Sequence, residues 1–195
     1  MADELHPAFR KSEYLFRRKF FKIFGGAFHI YDQTGNLLFY SKQKAFKLKE
    51  DFRIYADEAM SEELLVIKTP QILDIGATYH VLDPIEGEAV GAVRRRGVKS
   101  MFRDEYIFLD ADENEVGKLT ENSWLSAFAS RLVKLIPQKY VCQDAGGQPF
   151  ATCKQHFNPL ILKYTLEIQN PTPPVDRRLL LAGGILLAGI EGRQQ

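Results

Sequence analysis

The sequence predicts a mainly β fold, a closed barrel of roughly 12 strands built from repeated hairpins around a buried hydrophobic C-terminal α-helix. The first observation is one phrase used five times, an aromatic-rich strand running into Asp: FHIYD (Phe28 to Asp32), FRIYAD (Phe52 to Asp57), TYHVLD (Thr78 to Asp83), YIFLD (Tyr106 to Asp110) and YVCQD (Tyr140 to Asp144). Its aromatic starts at 28, 52, 79, 106 and 140 lie about 24 to 34 residues apart, the mark of a repeated supersecondary unit. The second is that a new strand follows each Asp after a short turn. The third is Leu179 to Ile190, a run without a polar residue.

Residues 1–13 are polar and lack the apolar stretch of a signal peptide, so an intracellular, cytoplasmic protein is expected. Residues 14–195 form one expected domain. Its opening, Tyr14 to Phe24, spaces Phe16, Phe20 and Phe24 with charged residues between them, which suits a helix or a twisted strand, and Gly25-Gly26 favours a strand entering the first hairpin. In each repeat the aromatic and β-branched residues favour a strand, and the Asp side chain can bond its own following backbone to start a turn. Gln33 to Asn36, Pro84 to Gly87 and Gly146-Gly147 then lead into returning strands, as in hairpins with Gly-bearing loops. A leucine-rich solenoid has a similar period, but its Leu-x-x-Leu-x-Leu pattern is missing.

Between the fourth and fifth repeats, Trp124, Leu125, Phe128, Leu132, Leu135 and Ile136 recur at helical spacing, with Ser123 as cap and Pro137 as stop. The last strand, Leu160 to Ile168, alternates strictly between apolar and polar side chains. After the Pro-rich link Asn170 to Pro174 comes a helix over about 176–191. Its dozen apolar residues would reach only about 18 Å at helical rise, too short to span a bilayer, which takes about 20 residues. A helix apolar on every side must be buried in protein. The bore of a barrel of about a dozen strands is wide enough to hold it. Gly183, Gly184 and Gly189, with Ala182 and Ala188, keep it thin.

These features, above all the closing Asp176-Arg177 followed by a wholly apolar helix, resemble the tubby C-terminal-like superfamily, and within it the LURP-one-related proteins and phospholipid scramblases. The likeness covers about Tyr14 to Glu191 and implies a roughly 12-stranded barrel around the terminal helix. Scramblases carry a Pro-rich leader and a cysteine cluster for acylation. Here the leader is short and both cysteines, Cys142 and Cys153, lie in the fifth repeat, so lipid anchoring gains no support. The phosphoinositide site of tubby proteins does not map residue by residue onto this chain. The nearest likeness is to the small LURP-one-related proteins.

Composition excludes some functions. The chain has 26 basic and 25 acidic residues, a net charge of +1, without the basic field on which nucleic-acid affinity rests. Two cysteines are too few for a disulfide scaffold and have no metal-type spacing, so buried thiols are expected. Asp110 to Asn114 with Glu121 echoes a calcium loop, yet Glu115 stands where the sharp turn needs Gly; a hairpin turn is expected instead. No catalytic signature is present, and His29 and His80 share a repeat position as repetition alone requires. Neither enzyme activity, nor a cofactor, nor a metal is expected.

The basic residues of the returning strands carry the binding expectation. Lys42, Lys44, Lys68, Arg94, Arg95 and Arg96, with Lys118 and Lys154, fall about eight to twelve residues after a turn Asp, and strands running in the same direction could gather them at one rim. Such a rim would attract phosphate, whereas the plainer reading is a solvated strand face whose lysines discourage edge pairing. The expected function is therefore a non-enzymatic binding module for anionic phospholipid or phosphoinositide headgroups, or another phosphate-bearing ligand, peripheral at a membrane. A scaffold for a protein partner is the alternative, and scramblase-like lipid transport a weaker one.

Overall fold

Twelve strands close into an all-antiparallel barrel in the computed structural model. It describes residues 5–19, 27–42, 51–69, 76–96, 105–121, 137–158 and 161–194. The strands are β1 (Glu13–Lys19), β2 (Ala27–Tyr31), β3 (Leu37–Lys42), β4 (Asp51–Tyr55), β5 (Glu63–Lys68), β6 (Thr78–Asp83), β7 (Glu88–Arg96), β8 (Glu105–Leu109), β9 (Glu115–Glu121), β10 (Lys139–Asp144), β11 (Pro149–His156) and β12 (Ile161–Ile168). Each pairs with its neighbours in sequence, and β1 closes the ring on β12, with Phe16 opposite Tyr164. The helical segment expected over 123–137 lies almost wholly outside the described residues.

The five repeats become five hairpins made with one device. Each turn aspartate accepts hydrogen bonds from backbone N–H groups beyond it: Asp32 from Thr34 and Asn36, Asp57 from Ser61, Asp83 from Ile85 and Glu86, Asp110 from Asp112 and Asn114, and Asp144 from Gln148. In four of them the third residue after Asp takes the left-handed conformation: Gly35 at φ 86°, Gly147 at 82°, and, without the freedom of glycine, Met60 at 58° and Glu113 at 65°. A register shift follows in the ladder, as in a turn closed by a bulge. The calcium-like string Asp110 to Asn114 is thus the fourth hairpin turn.

Strand alternation sends one set of side chains into the bore. Phe16, Phe28, Phe52, Tyr79, Phe108 and Tyr164 are each at most 1 % exposed. Helix α1 (Arg177–Gln194) fills the space they leave. Leu179, Leu180, Leu181, Ile185, Leu186 and Leu187 are at most 1 % exposed, each contributing about 1.5 to 3 kcal/mol by burial. Small residues let the helix fit. A Cβ on Gly183 would stand 2.9 Å from Phe108, and one on Gly184 only 2.6 Å from Phe16.

The helix start is tied to the barrel at both sides. Asp176 caps it, accepting from the Arg178 N–H at 2.8 Å. Arg178 then reaches the β6–β7 hairpin, with Nη1 2.8 Å from Asp83 and 2.9 Å from Glu88. Arg177 donates to the carbonyls of Lys11 and Pro171. The leading segment also joins the core: Pro7–Arg10 forms a 3-10 helix whose Phe9, 2 % exposed, packs on Phe39 with ring centroids 4.9 Å apart. The packed body therefore starts inside the polar segment 1–13. No helix among the described residues is long and apolar enough to cross a membrane.

Candidate functional site

The outer wall of the barrel carries the cations. Because neighbouring strands are antiparallel, β3, β5 and β7 run the same way, and their last residues include Lys42, Lys68 and Arg96, all toward one rim. Lys44 lies outside the described residues. Lys68 is exposed. Arg94 donates from Nε to Thr78 Oγ1 at 3.4 Å, and Arg96 sits between Glu105 at 3.3 Å and Glu115 at 3.7 Å. Arg95 departs from the expected rim set. Alternation turns it inward with Val93, opposite fully buried Tyr106, and leaves it 8 % exposed, so it adds no charge to an outer contact.

A second group of cations is denser. On β10 and β11, Lys139 stands directly opposite Lys154; on β11 and β12, His156 stands opposite Lys163; across the closure of the barrel, Lys163 stands opposite Arg17 of β1. Lys139, Lys154 and Arg17 are exposed and Lys163 half-buried, all on the outer face within a few residues of the same rim. Strands lie about 4.8 Å apart, so four adjacent strands put these charges within about 15 Å. None of the four has an ion-pair partner among the described residues. Arg17 instead lies over the Tyr31 ring, 5.5 Å from its centroid.

A half-buried histidine lies within this lane. His156 bonds Thr165 Oγ1 at 2.8 Å, and burial together with Lys163 and Lys154 holds its pKa below the ordinary 6.5, against the opposing pull of Glu13. Like charges directly opposite on neighbouring strands destabilise a sheet. The protective role of lysines at sheet edges does not explain them, because a closed barrel has no edge. Phe157, which follows His156 at the end of β11, is 57 % exposed.

The two repeat histidines stand apart. His29, 2.8 Å from Glu58, lies on β2 and His80 on β6, four strands away. Cys142 and Cys153 are buried, and burial pushes the Cys142 thiol up to about 12. Among the described residues no group of three His, Cys, Asp or Glu side chains is placed to hold a metal ion. The groove lined by Arg96, Lys118, Glu105, Glu115 and Asp144 mixes both signs and so has no preference for an anion.

The sequence reading singled out Lys154 but missed Arg17, Lys139 and Lys163. Two of the three pairings are within local hairpins and could be counted from the turn. The third needs the ring closure of β1 on β12, a contact between chain ends. A family model described as LURP-one-related matches residues 12–188. No curated protein matches the chain.

Proposed function

The chain belongs to the LURP-one-related family, and we propose that its barrel is a non-enzymatic binding module that recognises phosphate-bearing anions, foremost anionic phospholipid headgroups, through cations on its outer wall. The observation that carries this reading is the group of outward-facing lysines and arginines without acidic partners on a wall that has no edge to protect. Each cation held near an anionic membrane contributes about 1 kcal/mol, so several acting together give a peripheral, salt-sensitive attachment. A cytoplasmic position belongs to this proposal, since the anionic leaflet faces that side.

The returning-strand cations Lys42, Lys44, Lys68, Arg94 and Arg96 are one contact set under this reading. Flotation of the full chain with phosphoinositide-containing vesicles and with purely zwitterionic vesicles tests it. Binding to the first only, fading as salt shortens the screening length from about 30 Å at 0.01 M to about 3 Å at 1 M, is the expected result. Failure to float on any anionic vesicle at low salt would remove it. A protein partner is then the second reading, favoured by the half-buried aromatic run of the neighbouring wall, where His29 stacks on Tyr31 and meets Tyr40 edge-on.

A further inference from the structure

We infer that the membrane contact is the β10–β11–β12–β1 corner of the barrel, where Arg17, Lys139, Lys154 and Lys163 meet anionic headgroups and Phe157 enters the interface beside them. This rests on the anionic-lipid reading above and goes beyond it by naming the surface and its apolar anchor.

Three features point to a lipid surface. The first is unneutralised charge at short range. Lys139 and Lys154 are cross-strand neighbours, as are Lys163 and Arg17, and His156 stands opposite Lys163, its protonation disfavoured first by burial and then by Lys163 and Lys154. Two of the returning-strand cations are already engaged: Arg96 by Glu105 and Glu115, and Arg94 by Thr78. The second is shape. The four cations project from the outer face of consecutive strands, a convex wall suited to many headgroups at once rather than to one enclosed phosphate. The third is Phe157. It directly follows the lane, it is the most exposed of the large apolar side chains described, and the other two, Met60 and Ile85, lie in turns at the opposite rim. An aromatic ring next to a cationic cluster suits the interfacial zone of a bilayer, where the ring leaves water while the charges stay at the phosphates.

On the outer face of β1 and β12 the acidic residues, Glu13 and Glu167, face each other on the side away from the rim, and Glu121, opposite Tyr140 beside Lys139, is buried. The polarity of this wall therefore tilts the β10–β11–β12–β1 corner toward the membrane and the opposite side of the rim away from it.

The test uses the full chain and two charge-matched variants. One carries Arg17→Ser, Lys139→Ser, Lys154→Ser and Lys163→Ser; the other carries Lys42→Ser, Lys44→Ser, Lys68→Ser and Arg94→Ser. Each loses four positive charges, so net charge is the same in both. With vesicles of phosphatidylcholine and phosphatidylserine at low salt, the lane variant should lose binding by roughly fivefold per cation removed, whereas the rim variant should lose far less. A third variant, Phe157→Trp, keeps every charge, and its added indole should shift its emission to the blue on phosphatidylserine vesicles but not with inorganic phosphate.

Equal losses in both charge variants, or a greater loss in the rim variant, overturn the assignment while leaving anionic-lipid binding intact. An added indole that stays in water on vesicles that do bind overturns the anchoring role of Phe157. Failure of the wild type to bind at all removes the underlying reading and this inference with it. Because the lane pairs like charges, the lane variant should melt at or above the wild type. If it does not fold, the Phe157→Trp readout still decides the surface.

Discussion

Replacing Gly184 by Ala should destabilise the protein, although on an exposed helix the same change would stabilise it. Alanine is favoured over glycine by about 1 kcal/mol in a helix interior. At this position the added methyl carbon would stand 2.6 Å from Phe16 Cζ and 3.0 and 3.2 Å from its Cε atoms, against a comfortable carbon separation of about 3.5 to 4.0 Å. The Phe16 ring would have to retreat by about 1 Å to restore that separation. It is 1 % exposed, within the buried core, on a strand paired at both sides, so any shift works against packed neighbours. A contact as close as 2.6 Å belongs in the upper half of the roughly 1 to 3 kcal/mol that overpacking costs, so a net loss of about 1 to 2 kcal/mol remains after the helix gain, or about 2 to 8 °C in Tm at this chain length. Gly189 supplies the internal control. Its added Cβ would meet Phe52 at 3.3 Å, a contact that a slight ring shift relieves, so Gly189→Ala should melt at or above the wild type. Thermal unfolding of both variants, and of Gly184→Ala combined with Phe16→Leu, gives the coupling between helix and wall. That double variant should recover about 1 kcal/mol relative to the sum of its single changes. A Gly184→Ala protein as stable as the wild type would refute the tight approach of α1 to β1.

Arg178→Met should cost about 3 to 5 kcal/mol in denaturant unfolding, since it leaves the Asp83 carboxylate, 7 % exposed, without its cation; adding Asp83→Asn should restore part of the loss. Glu113→Gly and Met60→Gly should each raise stability by about 0.5 to 1 kcal/mol by releasing a left-handed backbone, read as a rise in Tm. Asp32 is held at about 2 by hydrogen bonds from the Thr34 hydroxyl and the Asn36 N–H. Its folded pKa lies below the ordinary 3.8, so its stabilisation is full above that value and is lost as pH falls from there toward 2. Asp32→Asn should flatten the acid limb of a pH–stability curve, and an unchanged limb would mean that these bonds form in the unfolded chain as well. His156, whose folded pKa is depressed, contributes in the same sense in a higher window, with stability declining as pH drops below 6.5.

The hairpins were legible because their information is local. An aromatic strand, an Asp that bonds its own backbone and a Gly within a few residues specify a turn without reference to the rest of the chain. The terminal helix was legible for a different reason: Leu179 to Ile190 is apolar on every side and too short for a bilayer, which leaves burial in the bore. Two turns show the limit of reading by residue type. Met60 and Glu113 occupy the left-handed position that Gly35 and Gly147 fill elsewhere, so the geometry of the hairpin prevailed over the preference of the residue.

The sequence by itself determined the repeated hairpin, the strand count to be closed and the identity of the core helix, since each depends on periodicity along one stretch of chain. Only the tertiary structure decided which faces and ends meet. Strand phase at the end of β7 turned Arg95 into the bore while its neighbours stayed outside, a choice of alternate faces that three consecutive arginines do not reveal. Closure of β1 on β12 brought Arg17 beside Lys163 across most of the chain, so the cationic lane exists only once the sheet has become a ring.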